Sequence, residues 1–230
     1  MTLIIGMDCM DCLLFCADRE EGTESGGKRS VSKIHHATGN NWGMMIATSG
    51  CSSVSDVAAQ RIIASAKATP SFNVNPQQVI EDIMFAVYEK YVFPRDRQRQ
   101  RERDINLVLG IVDEENRQRF LFKTFEEIVK PESHYACAGA GMDIAYYFLD
   151  RLRDDSGFGG DEAMKLLAFI LREAKSSVGM VGRESEFVSV VHRRDCSRFS
   201  TRTLIGEAVD WKQIPMLSHC LVPFWRSEQK

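Results

Sequence analysis

The sequence predicts an α+β protein: a four-layer αββα sandwich in which two antiparallel sheets are stacked between two helical layers. Three observations carry this expectation. Strand-like runs come as hairpins, helical periodicities come in consecutive pairs, and the order is strands, two helices, strands, two helices, strands. A regular alternation of strand and helix would instead signal a parallel sheet. At 230 residues, the simplest organisation is one domain over residues 1–230.

Thr2 to Met7 and Leu13 to Asp18 are apolar runs of strand length separated by a few turn residues, which reads as a hairpin. The segment Arg19 to Lys28 is rich in Glu, Gly, Ser and Thr without periodicity, and is expected to be a solvated loop. Two more strands are expected at Ser30 to His36 and Trp42 to Thr48. Small residues from Thr48 to Ser53 then give way to an amphipathic stretch with Val54, Val57, Ala58, Ile62 and Ala66 on one face. Ser53, with Asp56 three residues on, resembles a capping box, so Gly50 falls on a strand-to-helix turn whose backbone N–H groups can face an anion.

A second helix is announced by Asn75 as N-cap with Pro76 at the first helical position, ending near Tyr91 to Pro94. Arg95 to Asp104 holds five arginines and three acids without aromatics, the pattern of a solvated connector or subunit contact. Ile105 to Val112 and Arg119 to Thr124 form another hairpin, and Tyr135 to Ala138 is a short strand running into Gly139-Ala140-Gly141. A helix with Ile144, Ala145, Phe148, Leu149 and Leu152 on one face follows. After a Gly/Asp loop at Asp154 to Gly160, Asp161 opens a further helix. Phe187 to His192 and Arg198 to Leu204 are the last strands expected.

Bulk properties narrow the function classes. A net charge of −3 gives no general reason to expect nucleic acid or an anionic membrane. No apolar run reaches the roughly 20 residues that span a bilayer, and the amino terminus lacks a signal peptide's pattern, so a cytoplasmic protein is expected. The seven cysteines are odd in number and sit mostly in apolar runs, which is free-thiol usage rather than a disulfide framework. Cys9 and Cys12 form a CxxC, but no second pair or nearby His completes a zinc set. Neither a metal nor a cofactor is expected.

Chemistry concentrates at the amino end. Removal of Met1, which a small residue in second place permits, would leave Thr2 with a hydroxyl and a free amine on one residue. An α-amine has a pKa of about 7.7 to 8.0, suited to a general base at neutral pH, and a threonine with its own amine is a known nucleophile and base pairing. Asp18 at the second strand's end and Lys33 further on are placed to orient and tune it.

Taken together, Thr2, Asp11 in the turn, Ala17-Asp18, Lys33-Ile34, Gly50 and the strand into Gly139 to Gly141 resemble the β subunits of proteasomes and their bacterial relatives, which are N-terminal nucleophile hydrolases. The resemblance covers most of the chain. It implies the fold of that class, a threonine-type peptidase with Thr2 as nucleophile, Asp18 and Lys33 as its partners, and the Gly50 N–H as oxyanion donor. It also implies peptide or unfolded-protein substrates and self-association into rings or stacked spirals with enclosed sites. By position, Val31 and Thr48 would line the substrate pocket, suiting a medium-sized apolar group.

Two departures qualify the match. Where active members carry a Ser in the Gly-Ser-Gly element, this chain has Ala140. Where they carry an Asp followed by a Ser near the end of the next helix, it has Lys175-Ser176-Ser177, so Ser176 or Ser177 is the candidate substitute. The rival expectation is a catalytically silent proteasome-like subunit with an assembly or binding role. A third is an acylase or amidase acting on small amides through the same nucleophile.

Overall fold

The computed structural model of the chain describes residues 2–22, 26–39, 41–68, 75–152, 157–191 and 200–205. From the amino end run strands β1 (Leu3–Asp8) and β2 (Cys12–Asp18), a ribbon of β3 (Glu20–Gly22) and β4 (Lys28–Ser30), then β5 (Ile34–Thr38) and β6 (Trp42–Gly50). Helices α1 (Ser52–Ala68), α2 (Pro76–Tyr91) and the short α3 (Arg97–Arg103) follow. Next come β7 (Ile105–Asp113), β8 (Gln118–Phe125), β9 (Ile128–Glu132) and β10 (Tyr135–Gly139), then α4 (Met142–Leu152) and α5 (Gly160–Ser177). Strands β11 (Ser185–Val191) and β12 (Ser200–Ile205) complete the order.

Among the described residues, the strands other than the β3-β4 ribbon make two five-stranded antiparallel sheets, in the orders β10-β1-β2-β11-β12 and β5-β6-β7-β8-β9. Alternation along each strand sorts the side chains into layers. On β1 and β2, Leu3, Ile5, Leu14 and Cys16 pack with Leu149, Leu167 and Ile170 of α4 and α5. Ile4, Leu13, Phe15 and Ala17 point the other way and meet Met45, Val108 and Leu121 of the second sheet. That sheet's outer face, with Met44, Ile46 and Leu109, is covered by Ile62 of α1 and Ile80 and Met84 of α2. The αββα sandwich expected from the hairpin and helix-pair order is therefore the architecture observed. Both faces of the central strands are buried, which is why they read as continuous apolar runs.

Local signals act where expected at α2: the Asn75 side chain accepts the Gln78 N–H, and Pro76 takes the first helical position, where no amide partner is needed. Four expectations need correction. The stretch expected as a solvated loop contains the ribbon β3-β4, whose three-residue strands are too short to show a period and are held by charge pairs between Lys28 and Glu20 and between Arg29 and Glu21. Residues 31–33 are not strand, so β5 begins only at Ile34. Helix α1 starts at Ser52, so the exposed Ser53 lies inside the helix rather than capping it; Cys51 precedes the helix and its carbonyl takes the Val54 and Ser55 amides. Strand β9 was not expected, because Pro131 and its polar neighbours hide the pattern, and it lies at a sheet edge, where proline is tolerated. Arg198, Cys196, Cys220 and the loop residues 154–156 lie outside the described residues.

Phe15 lies among the side chains packed between the sheets. A Cβ added at Gly110 would stand 2.7 Å from Phe15 Cε2, and one at Gly6 would stand 2.8 Å from Phe15 Cζ. Two glycines from opposite sheets thus make room for one ring. Gly110→Ala should lower stability by about 1–3 kcal/mol through overpacking, read as a lower urea midpoint with unchanged slope.

Candidate active site

Asp18 ends β2 with no exposure to solvent. Its Oδ1 accepts the Leu3 N–H at 2.8 Å and the Thr2 hydroxyl; its Oδ2 accepts the Glu20 and Gly182 amides, each at 3.2 Å. The charge is completed by Lys33 Nζ, 3.3 Å from Oδ2. A buried carboxylate in this setting is tolerated because its lone pairs are filled and its charge is paired.

Lys33 reaches the same place from the other sheet. Its segment is held by the Thr48 N–H, which donates to the Lys33 carbonyl at 2.9 Å, and by Glu186 of β11, whose carboxylate accepts from Ser32 Oγ at 2.8 Å and from the Lys33 amide at 3.3 Å. The ammonium then donates to Thr2 Oγ1, Asp18 Oδ2 and the Glu20 carbonyl, the last at 2.5 Å. Three N–H donors meet three acceptors, which satisfies the cationic form in full. Burial pulls the Lys33 pKa below the ordinary lysine value, while the charge and hydrogen bond of Asp18 pull it back up.

Thr2 is buried, and its hydroxyl lies between the two charges, accepting from Lys33 and donating to Asp18. The hairpin puts Thr2 and Asp18 side by side, since Ile4 pairs with Ala17 in the antiparallel register. Beside them lies a cavity of about 120 Å³ lined by Thr2, Glu20, Glu21, Arg29, Val31, Ser32, Lys33, Thr48, Ser49, Gly50, Ser52, Ser55 and Asp56. Gly50 has φ of 101°, a left-handed conformation open to glycine, and a Cβ there would run into the Asp104 carbonyl. Gly139 is constrained in the same way: φ is 96°, and a Cβ would meet the Thr2 carbonyl.

Thr2, Asp18, Lys33, Gly50, Val31 and Thr48 are thus brought together. Ser176 and Ser177 are not: both are exposed on the last turn of α5, and Ser176 Oγ donates to the Glu173 carbonyl. Lys175 instead points inward and donates to Ser185 Oγ at 2.9 Å. Sequence reasoning missed Gly182 and the Glu20 carbonyl, which act through the backbone and leave no side-chain signal. It also missed Glu21 and Arg29, the former in the stretch expected as a solvated loop, and Asp56, which is expected above only as the partner of Ser53 in a capping box.

Two antiparallel sheets between helical layers, with the amino-terminal strand in the first sheet and its threonine at the sheet's end, define the proteasome-like N-terminal nucleophile hydrolase fold. The chain belongs to the proteasome subunit family, whose model matches residues 2–190. Solved structures agree. An Anbu (Gly-1) mutant from Hyphomicrobium sp. strain MC1 superposes with a TM-score of 0.74 at 16% identity, covering 100% of each chain. Anbu (ancestral beta-subunit) from Yersinia bercovieri gives 0.73 at 12% identity over 97% of each chain. The Anbu complex from Pseudomonas aeruginosa, solved as a helical assembly, gives 0.73 at 12% identity over 99% of this chain and 96% of that one. No curated protein matches the chain.

The lowered Lys33 pKa makes stability depend on pH with a defined sign. Between the folded value and the ordinary value of about 10.4, the unfolded chain binds more protons, so this group's contribution rises with pH. Measured against Lys33→Met, which cancels the other alkaline titrations, the wild-type protein should gain relative stability as pH climbs toward that value. A difference that stays flat or falls across the window contradicts the assignment.

Proposed function

We propose that the protein is a threonine-type peptidase that acts once Met1 is removed. The observation that carries this reading is the Thr2 hydroxyl seated between Asp18 and Lys33 at the edge of a polar cavity. Thr2 Oγ attacks the amide carbonyl, and the Thr2 amine takes the hydroxyl proton, then passes it to the leaving amine. Lys33 lowers the cost of forming the alkoxide. Asp18 holds Lys33 and aligns the hydroxyl. The Gly50 N–H serves as oxyanion donor, contributing roughly 3 kcal/mol on the scale of such donors. The resulting ester on Thr2 is then hydrolysed. Peptides or unfolded proteins are the substrates, Val31 and Thr48 form part of the pocket, and no metal or cofactor takes part.

The chain is further proposed to self-associate, as the solved helical assembly from Pseudomonas aeruginosa does. Its helical layers carry exposed Phe85, Phe93, Met142 and Tyr147, which suits contact between copies. We place the assembly in the cytoplasm. The described cysteines are all free thiols, and no described helix is long and apolar enough to cross a membrane.

A second reading, a catalytically silent subunit that assembles or binds, is favoured by one feature: Ala140 has no hydroxyl, and those of Ser176 and Ser177 are turned to solvent, so none of these three positions supports Thr2. Intact mass separates the readings, because a protein that keeps Met1 has no free Thr2 amine to act as base. With Met1 gone, Thr2→Ala should lower peptide hydrolysis on the order of 10³-fold or more and abolish labelling by a threonine-directed electrophile. Undiminished turnover by this variant sinks the mechanism. Sedimentation velocity should show species well above the 26.0 kDa monomer; a monomer at micromolar concentration contradicts self-association.

A further inference from the structure

The cavity beside Thr2 is far more acidic than an apolar side chain would want. Three carboxylates line it, Glu20, Glu21 and Asp56, together with two cations, Arg29 and Lys33. Lys33 is matched by Asp18, and Glu20 by Lys28 at 2.7 Å. The amino end of α1, whose first residue Ser52 also lines the cavity, adds partial positive charge there. What remains is Glu21, Asp56 and Arg29.

These three differ in exposure. Glu21 is largely enclosed, with its side chain 16% exposed, whereas Arg29 is 64% exposed and donates from Nε to Glu21 Oε2 at 2.5 Å. The two residues face each other across the β3-β4 ribbon, so the pairing is set by register. Arg29 also feels the charge of Asp56. Among the described residues Asp56 has the conditional partner His35, whose Nε2 lies 3.3 Å away without hydrogen-bond geometry. An exposed ion pair of this kind is weak and readily exchanged.

We propose that the cavity takes a cationic side chain of the substrate, arginine or lysine, beside Glu21 and Asp56, and that Arg29 occupies this place in the free protein and swings out when substrate enters. The proposal rests on the peptidase reading only in naming the substrate as the occupant. Arg29 is an internal stand-in for the ligand: a guanidinium already seated on a fixed carboxylate shows what chemistry the wall is built to hold. Val31 and the Thr48 methyl then pack against the aliphatic stem of such a side chain rather than selecting an apolar residue.

The test uses four fluorogenic peptides differing only in the residue before the scissile amide: arginine, lysine, leucine or glutamate. Arginine and lysine peptides should be turned over fastest, with Glu21→Gln and Asp56→Asn each lowering kcat/KM for them about tenfold, chiefly through KM. Arg29→Ala should raise kcat/KM for the arginine peptide severalfold. Fastest turnover of the leucine or glutamate peptide overturns the pocket assignment, and so does a fall in glutamate turnover on Arg29→Ala, which would make Arg29 the selecting charge. A binding arm separates this from the catalytic reading. Argininamide should bind the Thr2→Ala protein in preference to leucinamide by NMR shift mapping, and Asp56→Asn should weaken it. Argininamide binding without turnover of any peptide sinks the peptidase reading while supporting the cation site; equal binding of the two amides overturns the cation site.

Discussion

The paired charges of Asp18 and Lys33 hold four separate pieces of chain at one point. The start of β1, the start of β3 and the loop before β11 all donate backbone amides to the Asp18 carboxylate. Lys33, from the segment before β5, brings the second sheet to the same carboxylate. A buried ion pair of this kind stabilises little against an apolar replacement of both partners, but removing one partner leaves a charge stranded, typically costing about 3–5 kcal/mol. The pair therefore works as a constraint on geometry: the hairpin end and the other sheet's edge must meet here, or a charge goes unanswered.

That constraint positions the candidate nucleophile. Thr2 precedes β1 directly, so the strand that builds the inner core also sets where its hydroxyl lies. Gly50 and Gly139 sit around it with left-handed backbones that a side chain would block. The site is framed by the sandwich, in which Phe15 packs between glycines of the two sheets, and by the connecting segments that carry Lys33 and Gly182. The ribbon β3-β4 is different in kind. It is short and charged, and its residues Glu20, Glu21 and Arg29 form one wall of the cavity.

The fold was legible because its signals are local. Two-sided burial makes β1, β2 and β7 largely apolar, Asn75-Pro76 starts α2 through a cap and a locked φ, and paired helices following paired strands exclude a parallel sheet. The candidate nucleophile was legible for another reason, since Thr2, Asp18, Lys33 and Gly50 hold family spacing along the chain. The ribbon, β9 and the start of α1 were not legible. A three-residue strand has no period to read, a proline masks an edge, and small residues from Thr48 to Ser53 offer several equivalent caps.

By itself, then, the sequence determined the layers, the four residues at the site and the absence of a serine in the glycine turn at Ala140, because each is a property of residues near one another in the chain. Only the tertiary structure decided that Ser176 and Ser177 face solvent while Lys175 turns inward to Ser185, since one residue's rotation about α5 separates those outcomes. It also decided the character of the cavity. Glu21, Arg29 and Asp56 are charged residues spread over a ribbon and a helix, and only the fold gathers them around one space.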